Sequence, residues 1–111
     1  LNPHLLASRL VVLCTPLYYF GFSAQLKLVI DRFYAINNQF HGGRRAVLLA
    51  TAWNDHDWTM QALAEHYRTL VRYMDWEDAG MILATNCGTR RAIERSDWPR
   101  RAYELGRSVR L

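Results

Sequence analysis

Three short runs along the chain are apolar without a break: Leu10–Cys14 (LVVLC), Ala46–Ala50 (AVLLA) and Met81–Ala84 (MILA). None alternates apolar with polar positions, so each predicts a strand buried on both faces, the habit of parallel sheets. A helical rhythm follows each run. After the first, Leu26, Val29, Ile30 and Phe33 recur at helical spacing, with Ser23 placed as N-cap. After the second comes a longer stripe of Met60, Leu63, Ala64, Tyr67, Leu70, Val71 and Met74. Asp55 and Asp57 are expected just ahead of its first turn, where carboxylates complement the helix dipole. After the third, Trp98, Ala102, Leu105 and Val109 form one face, preceded by Ser96 and Asp97 and with Pro99 early. The stretches NNQFHGG (37–43) and DWEDAG (75–80) are expected to end the first two helices.

Strand and helix therefore alternate three times, which predicts an α/β domain with right-handed crossovers. Three strands make a thin sheet, and its outer strands are as apolar as the middle one, unusual for exposed edges. The opening LNPHLLAS reads as the end of a helix running into the first strand. A further strand–helix portion is expected ahead of Leu1, with these residues the C-terminal part.

Half of the 111 residues are hydrophobic and 22% are charged, which describes a globular chain and excludes a disordered one. No apolar run reaches the ~18 residues of a membrane span, and no signal peptide is visible. The formal charge of +4 collects in the last fifth, where seven arginines face Glu94, Asp97 and Glu104. With no nucleic-acid motif beside them, these arginines read as a solvated helix face, and no nucleic-acid or membrane partner is expected. Cys14 and Cys87 lack metal or redox spacing and read as buried or half-buried free thiols of a cytoplasmic protein.

Ligands of open α/β sheets bind at the carboxyl ends of the strands. Here those ends are residues 14–22 (CTPLYYFGF), 51–55 (TAWND) and 85–89 (TNCGT). The first is aromatic, the second carries Trp53 with Trp58 beyond it, and the third is small and polar. Such a rim fits a flat, mostly apolar ligand with a few hydrogen-bonding edges. Equally, the aromatics can pack on each other or across an oligomer interface.

Sharper motifs fail on spacing. GFSAQ (21–25) ends in Gln25 where a nucleophile elbow needs glycine, and Ser23 stands nine positions after Cys14. A phosphoryl-transfer thiolate needs an arginine six positions on, where Cys14 has Phe20 and Cys87 has Ile93. Asp55, His56 and Asp57 are adjacent and point different ways, so no metal site is expected. No Gly-rich phosphate cradle occurs anywhere in the chain.

The segment TPLYYFGFSAQLKLVIDRFY (15–34) resembles the T/S-P-x-Y-x-x-x-x-S-x-x-L-K-x-x-I-D-R stretch of flavodoxin-like NAD(P)H-dependent FMN reductases. The nearer likeness is to the iron–sulfur-flavoprotein and multimeric-flavodoxin branch. RRAVLLATAW, the long amphipathic helix and WEDAGMILAT fall where that family has its fourth strand, fourth helix and fifth strand. The resemblance implies a doubly wound parallel sheet of order 2-1-3-4-5 with FMN at the switch point. Residues 1–111 would be the C-terminal portion of one such domain, without its first strand and phosphate loop.

By position in that family, Thr15, Pro16, Leu17, Tyr18, Tyr19 and Phe20 would line the isoalloxazine ring, with Thr51, Ala52 and Trp53 approaching from the next loop. Lys27, Asp31 and Arg32 would organise packing or subunit contacts, in a homo-oligomer. The implied activity is an oxidoreductase passing hydride from NAD(P)H to FMN, then electrons to a small-molecule acceptor or redox protein. No side chain is then needed as acid, base or nucleophile. A flavodoxin-type carrier without nicotinamide reactivity, or a non-enzymatic packing module, are the alternatives.

Overall fold

In the computed structural model, which describes residues 1–111, three strands lie side by side: β1 (Leu10–Pro16), β2 (Arg45–Thr51) and β3 (Glu77–Ala84). They pair in that order and are all parallel. The helices are α1 (Asn2–Ala7), α2 (Ala24–Asp31), α3 (Asn37–Phe40), α4 (Gln61–Tyr73), α5 (Arg90–Glu94) and α6 (Trp98–Ser108). A 3₁₀ segment, Arg32–Ile36, joins α2 to α3. The α/β alternation read from the apolar pattern is the architecture that forms. No helix is long and apolar enough to cross a membrane.

Register assigns the two faces of the sheet. Val11, Leu13 and Thr15 stand level with Ala46, Leu48 and Ala50, and all but the buried polar Thr15 belong to the main hydrophobic core. The α2–α3 segment brings Ile30, Phe33, Ile36 and Phe40 to this face, and α4 brings Leu63, Tyr67, Val71 and Met74. Leu48 and Leu63 are wholly buried, each contributing about 1.5–3 kcal/mol by apolar transfer. The stripe on α4 is thus the face that closes the core.

The other face is covered only in part. Gly80 on β3, at φ 134°, lies so close to α6 that a Cβ there would stand 2.6 Å from Leu105 Cδ1. A helix about 10 Å across spans about two strands, so α6 screens β2 and β3. Over β1, Val12 is 47% exposed, and Cys14 and Pro16 are also exposed. This corrects the expectation of strands buried on both faces, and of a buried Cys14. A groove of about 450 Å³ remains there, lined by Cys14, Leu49, Ile82, Ile93, Trp98 and Ala102 among others.

Several boundaries also move. Asn37–Phe40 continue as a helical turn, because Phe40 is carried into full burial; the chain breaks at Gly42 and Gly43, both at positive φ. Helix α4 starts at Gln61, after a turn, so Asp55 and Asp57 lie ahead of its first turn without capping it. Strand β3 begins at Glu77, inside the stretch expected to be a break. Its polar start is accommodated by a bulge: Ala46 pairs with Asp78 but Val47 with Gly80.

Asp78 anchors that bulge. Its Oδ1 accepts the Gly80 amide and the Tyr67 hydroxyl, each at 2.9 Å. Burial, then the bond to Asp78, pushes the Tyr67 phenol well above its ordinary range. An acid raised on folding stabilises the fold below its unfolded pKa of about 10 and loses that contribution as pH rises through the folded value. Tyr67→Phe is expected to cost about 1 kcal/mol at neutral pH. Its stability should also fall less steeply than wild type above pH about 10, as read by urea unfolding at each pH.

Candidate functional site

All three strands end on one edge, and their loops are tied to one another by main-chain bonds. Thr15, at the end of β1, is buried, with its hydroxyl inside the loop that follows. That hydroxyl donates to the Pro16 carbonyl at 2.7 Å and accepts the Ser23 amide at 2.9 Å, pinning both ends of residues 16–22. Ser23 then caps α2, its Oγ accepting the Leu26 amide at 3.2 Å, as the spacing predicts. The Leu17 amide donates to the Thr51 carbonyl at 2.7 Å, joining the first loop to the second.

Between these pins the chain reverses in four residues. Tyr18 and Gly21 form an isolated bridge, the Gly21 amide donating to the Tyr18 carbonyl at 3.2 Å. Tyr19 (φ 46°) and Phe20 (φ 67°) both occupy the left-handed region, as the two central residues of a type I′ turn must. Asparagine and glycine suit those positions; bulky aromatics there are outliers that cost of order 1–2 kcal/mol per residue. Tyr19 is nevertheless fully exposed and Tyr18 63% exposed. The amides of Tyr19 and Phe20 donate to no acceptor in the chain, while that of Tyr18 faces the Gly21 carbonyl across the bridge.

This geometry accounts for an aromatic surface loop. Leu17 packs against the core and Phe22 is buried, its ring 4.9 Å from that of His66. Tyr18, Tyr19 and Phe20 face outward, and only Phe20 finds a neighbour, the Trp58 ring at 5.5 Å. His56 stacks on the other ring system of the second loop, 5.1 Å from Trp58 and nearly parallel to it. The sequence predicts residues 55–57 as capping carboxylates with a solvated His56; the histidine is exposed as expected and stacked on Trp58, while neither carboxylate caps α4.

Ala52 is buried and its backbone is fully used: its amide donates to the Ala84 carbonyl, and its carbonyl accepts the Cys87 amide, both at 2.8 Å. Trp53 follows it outward, 79% exposed. The nine residues expected to line a ring therefore divide into three groups. Thr15, Leu17 and Ala52 turn inward and hold the loops, Pro16 and Thr51 line the groove beneath α6, and Tyr18, Tyr19, Phe20 and Trp53 stand on the rim. Trp58 joins that rim from outside the set; its five-residue spacing from Trp53 in one loop was the available signal.

Charge around the edge is arginine-rich and compensated in part by neighbouring carboxylates. Arg90 pairs with Glu94 and Arg100 with Asp97 at 2.6 Å, Arg107 lies 4.0 Å from Glu104, and Arg101 stacks over Trp98. These are exposed helix pairs of small energetic worth, as a solvated helix face predicts. The hydrogen bond from Arg100 holds the Asp97 carboxyl below the usual range. Burial pushes the Cys87 thiol up, away from a reactive thiolate, and burial with nearby Lys27 keeps His66 low.

A parallel sheet with crossover helices and an aromatic rim at its carboxyl edge defines a flavodoxin-like α/β protein. Residues 3–104 match the Flavodoxin_2 family model, described as a flavodoxin-like fold, and the chain belongs to that family. The solved structure of the Trp repressor binding protein from Bacillus subtilis is similar at a TM-score of 0.82 and 19% identity, over 97% of this chain and 74% of that one. An NADPH-quinone reductase from P. pentosaceus is similar at 0.71 and 12%, over 99% and 73%. A thermophilic tryptophan halogenase from Streptomycin violaceusniger gives 0.71 and 12%, over 95% and 68%. At these identities the likeness is one of fold. No curated protein matches the chain.

Proposed function

We propose that the rim seats the isoalloxazine ring of FMN and that the protein is an NAD(P)H-dependent oxidoreductase of the iron–sulfur-flavoprotein and multimeric-flavodoxin branch. The observation that carries this reading is the 18–21 turn, which holds two consecutive free amides and two exposed aromatics in a strained conformation. Strain of this kind is kept where the surrounding structure enforces it, commonly at ligand sites. The residues fit the group: a flat ring with an acceptor-rich edge needs aromatic walls and main-chain donors, and the turn offers both.

Bound FMN would supply hydride and electron-transfer chemistry that no side chain of this protein provides. The chain's own part is to bind and orient. The Tyr19 and Phe20 amides are donors for the ring's polar edge, and fixed donors favour the form carrying more negative charge there. Tyr18 and Trp53 are its walls. Likeness in fold to an NADPH-quinone reductase supports nicotinamide as the electron source, with a small-molecule or redox-protein acceptor. A cytoplasmic homo-oligomer accompanies this reading.

Anaerobic mixing of the FMN-loaded protein with NADH or NADPH tests the activity. Loss of the oxidised flavin absorbance with either nicotinamide is the expected result. Persistence of that absorbance with both would sink the reductase assignment and leave a flavodoxin-type carrier.

A further inference from the structure

We infer that Gly88 is a positioning residue: its bare backbone is the seat on which the Trp53 indole is held at the rim. The inference rests on the proposed flavin site for its functional meaning, but its geometry stands alone. Among the six glycines, Gly42, Gly43 and Gly80 take left-handed φ values, which suffice to explain them. Gly21 and Gly106 have open space where a side chain would go. Gly88 has an ordinary φ and no open space. A Cβ on it would stand 2.5 Å from Trp53 Cδ1 and 3.1 Å from Nε1, well inside the roughly 3.5–4.0 Å of favourable carbon contact.

The third loop is built to present that seat. Asn86 reverses the chain at φ 57°, a left-handed position that asparagine tolerates well. The Cys87 amide then donates to the Ala52 carbonyl at 2.8 Å, so the residue before Gly88 is bonded to the residue before Trp53. Both backbones are thereby fixed relative to each other. Contact falls on the indole's five-membered-ring edge, Cδ1 and Nε1, while 79% of the residue stays exposed. The indole is braced at one edge and open over most of its surface. That is the arrangement of a stacking wall whose orientation is set before the ligand arrives, which lowers the ordering cost of binding. The small third loop, which carries no ring-lining residue of its own, thus belongs to the site.

Gly88→Ala tests the inference, since its φ admits alanine. In wild type, a proton NMR cross-relaxation peak is expected between the Trp53 indole N–H, assigned by its loss in Trp53→Ala, and the Gly88 Hα. In Gly88→Ala that peak should vanish. FMN affinity should fall about 3- to 10-fold in the wild-type background, the worth of one aromatic contact. In a Trp53→Ala background the same change should alter affinity by less than about 2-fold, because no indole remains to displace. A wild-type protein without the cross-peak, or an equal affinity loss in both backgrounds, would overturn the assignment. If wild type takes up no FMN, the flavin reading fails, and the cross-peak alone decides whether Gly88 seats the indole.

Discussion

Trp76→Ala is expected to destabilise the protein by about 3–5 kcal/mol, the cost of removing a buried indole. Trp76 is buried at the amino end of β3, its ring 4.8 Å from Phe40 and 6.2 Å from Phe33 in edge-to-face arrangements. Its Nε1–H donates to the Phe40 carbonyl at 2.9 Å. Arg44 closes the same cluster, its guanidinium 4.7 Å above the Phe40 ring and donating to the carbonyls of Phe40, Gly42 and Leu6. Truncation leaves a cavity under α3 and strips one donor from a buried carbonyl. Trp76→Phe keeps the packing and loses the donor, which Arg44 partly replaces, so about 1–2 kcal/mol is expected. Urea denaturation monitored by circular dichroism reads both. The cluster lies at the opposite end of the sheet from the rim, so FMN affinity measured well below the unfolding midpoint should not change.

The second large effect has the opposite sign. Replacing Tyr19 with asparagine and Phe20 with glycine gives the 18–21 turn the residues its φ values call for. Relief of left-handed strain is worth about 1–2 kcal/mol per residue, against about 0.5–1.5 kcal/mol for the Phe20–Trp58 contact that is lost. Fully exposed Tyr19 has no packing to lose. The double variant is therefore expected to be more stable by about 1–2 kcal/mol, with a higher unfolding temperature. Its FMN affinity should drop by about tenfold or more, as two rim aromatics disappear. A stabilised variant with undiminished affinity would show that the strain serves no ligand. A destabilised one would show that the turn is held by something other than its backbone geometry.

What was legible in the sequence followed from properties that a residue carries wherever it sits. Leu10–Cys14, Ala46–Ala50 and Met81–Ala84 announce strands because continuous apolar side chains have few other uses at that length. Ser23 announces a helix start because its oxygen can reach the Leu26 amide. The α4 stripe is equally plain. The rest depended on neighbours in space. An apolar Val12 reads the same whether or not a helix covers it, so exposure of one face of β1 was invisible. Asp78 looked like part of a break until Tyr67 and the Gly80 amide supplied its partners. The I′ turn was hidden because Tyr19 and Phe20 are residues that turn rules would never place there, and that mismatch is what marks the site. Gly88 gave no signal at all, since its meaning lies in an indole thirty-five positions upstream.

Titration of the protein with FMN, followed by quenching of flavin fluorescence and by the flavin absorption spectrum, tests the central claim most directly. A saturable change at one FMN per chain, weakened about tenfold when Tyr18 and Trp53 are both replaced by alanine, is the predicted result. Flavin fluorescence and absorbance that stay those of free FMN from micromolar to millimolar protein would contradict it.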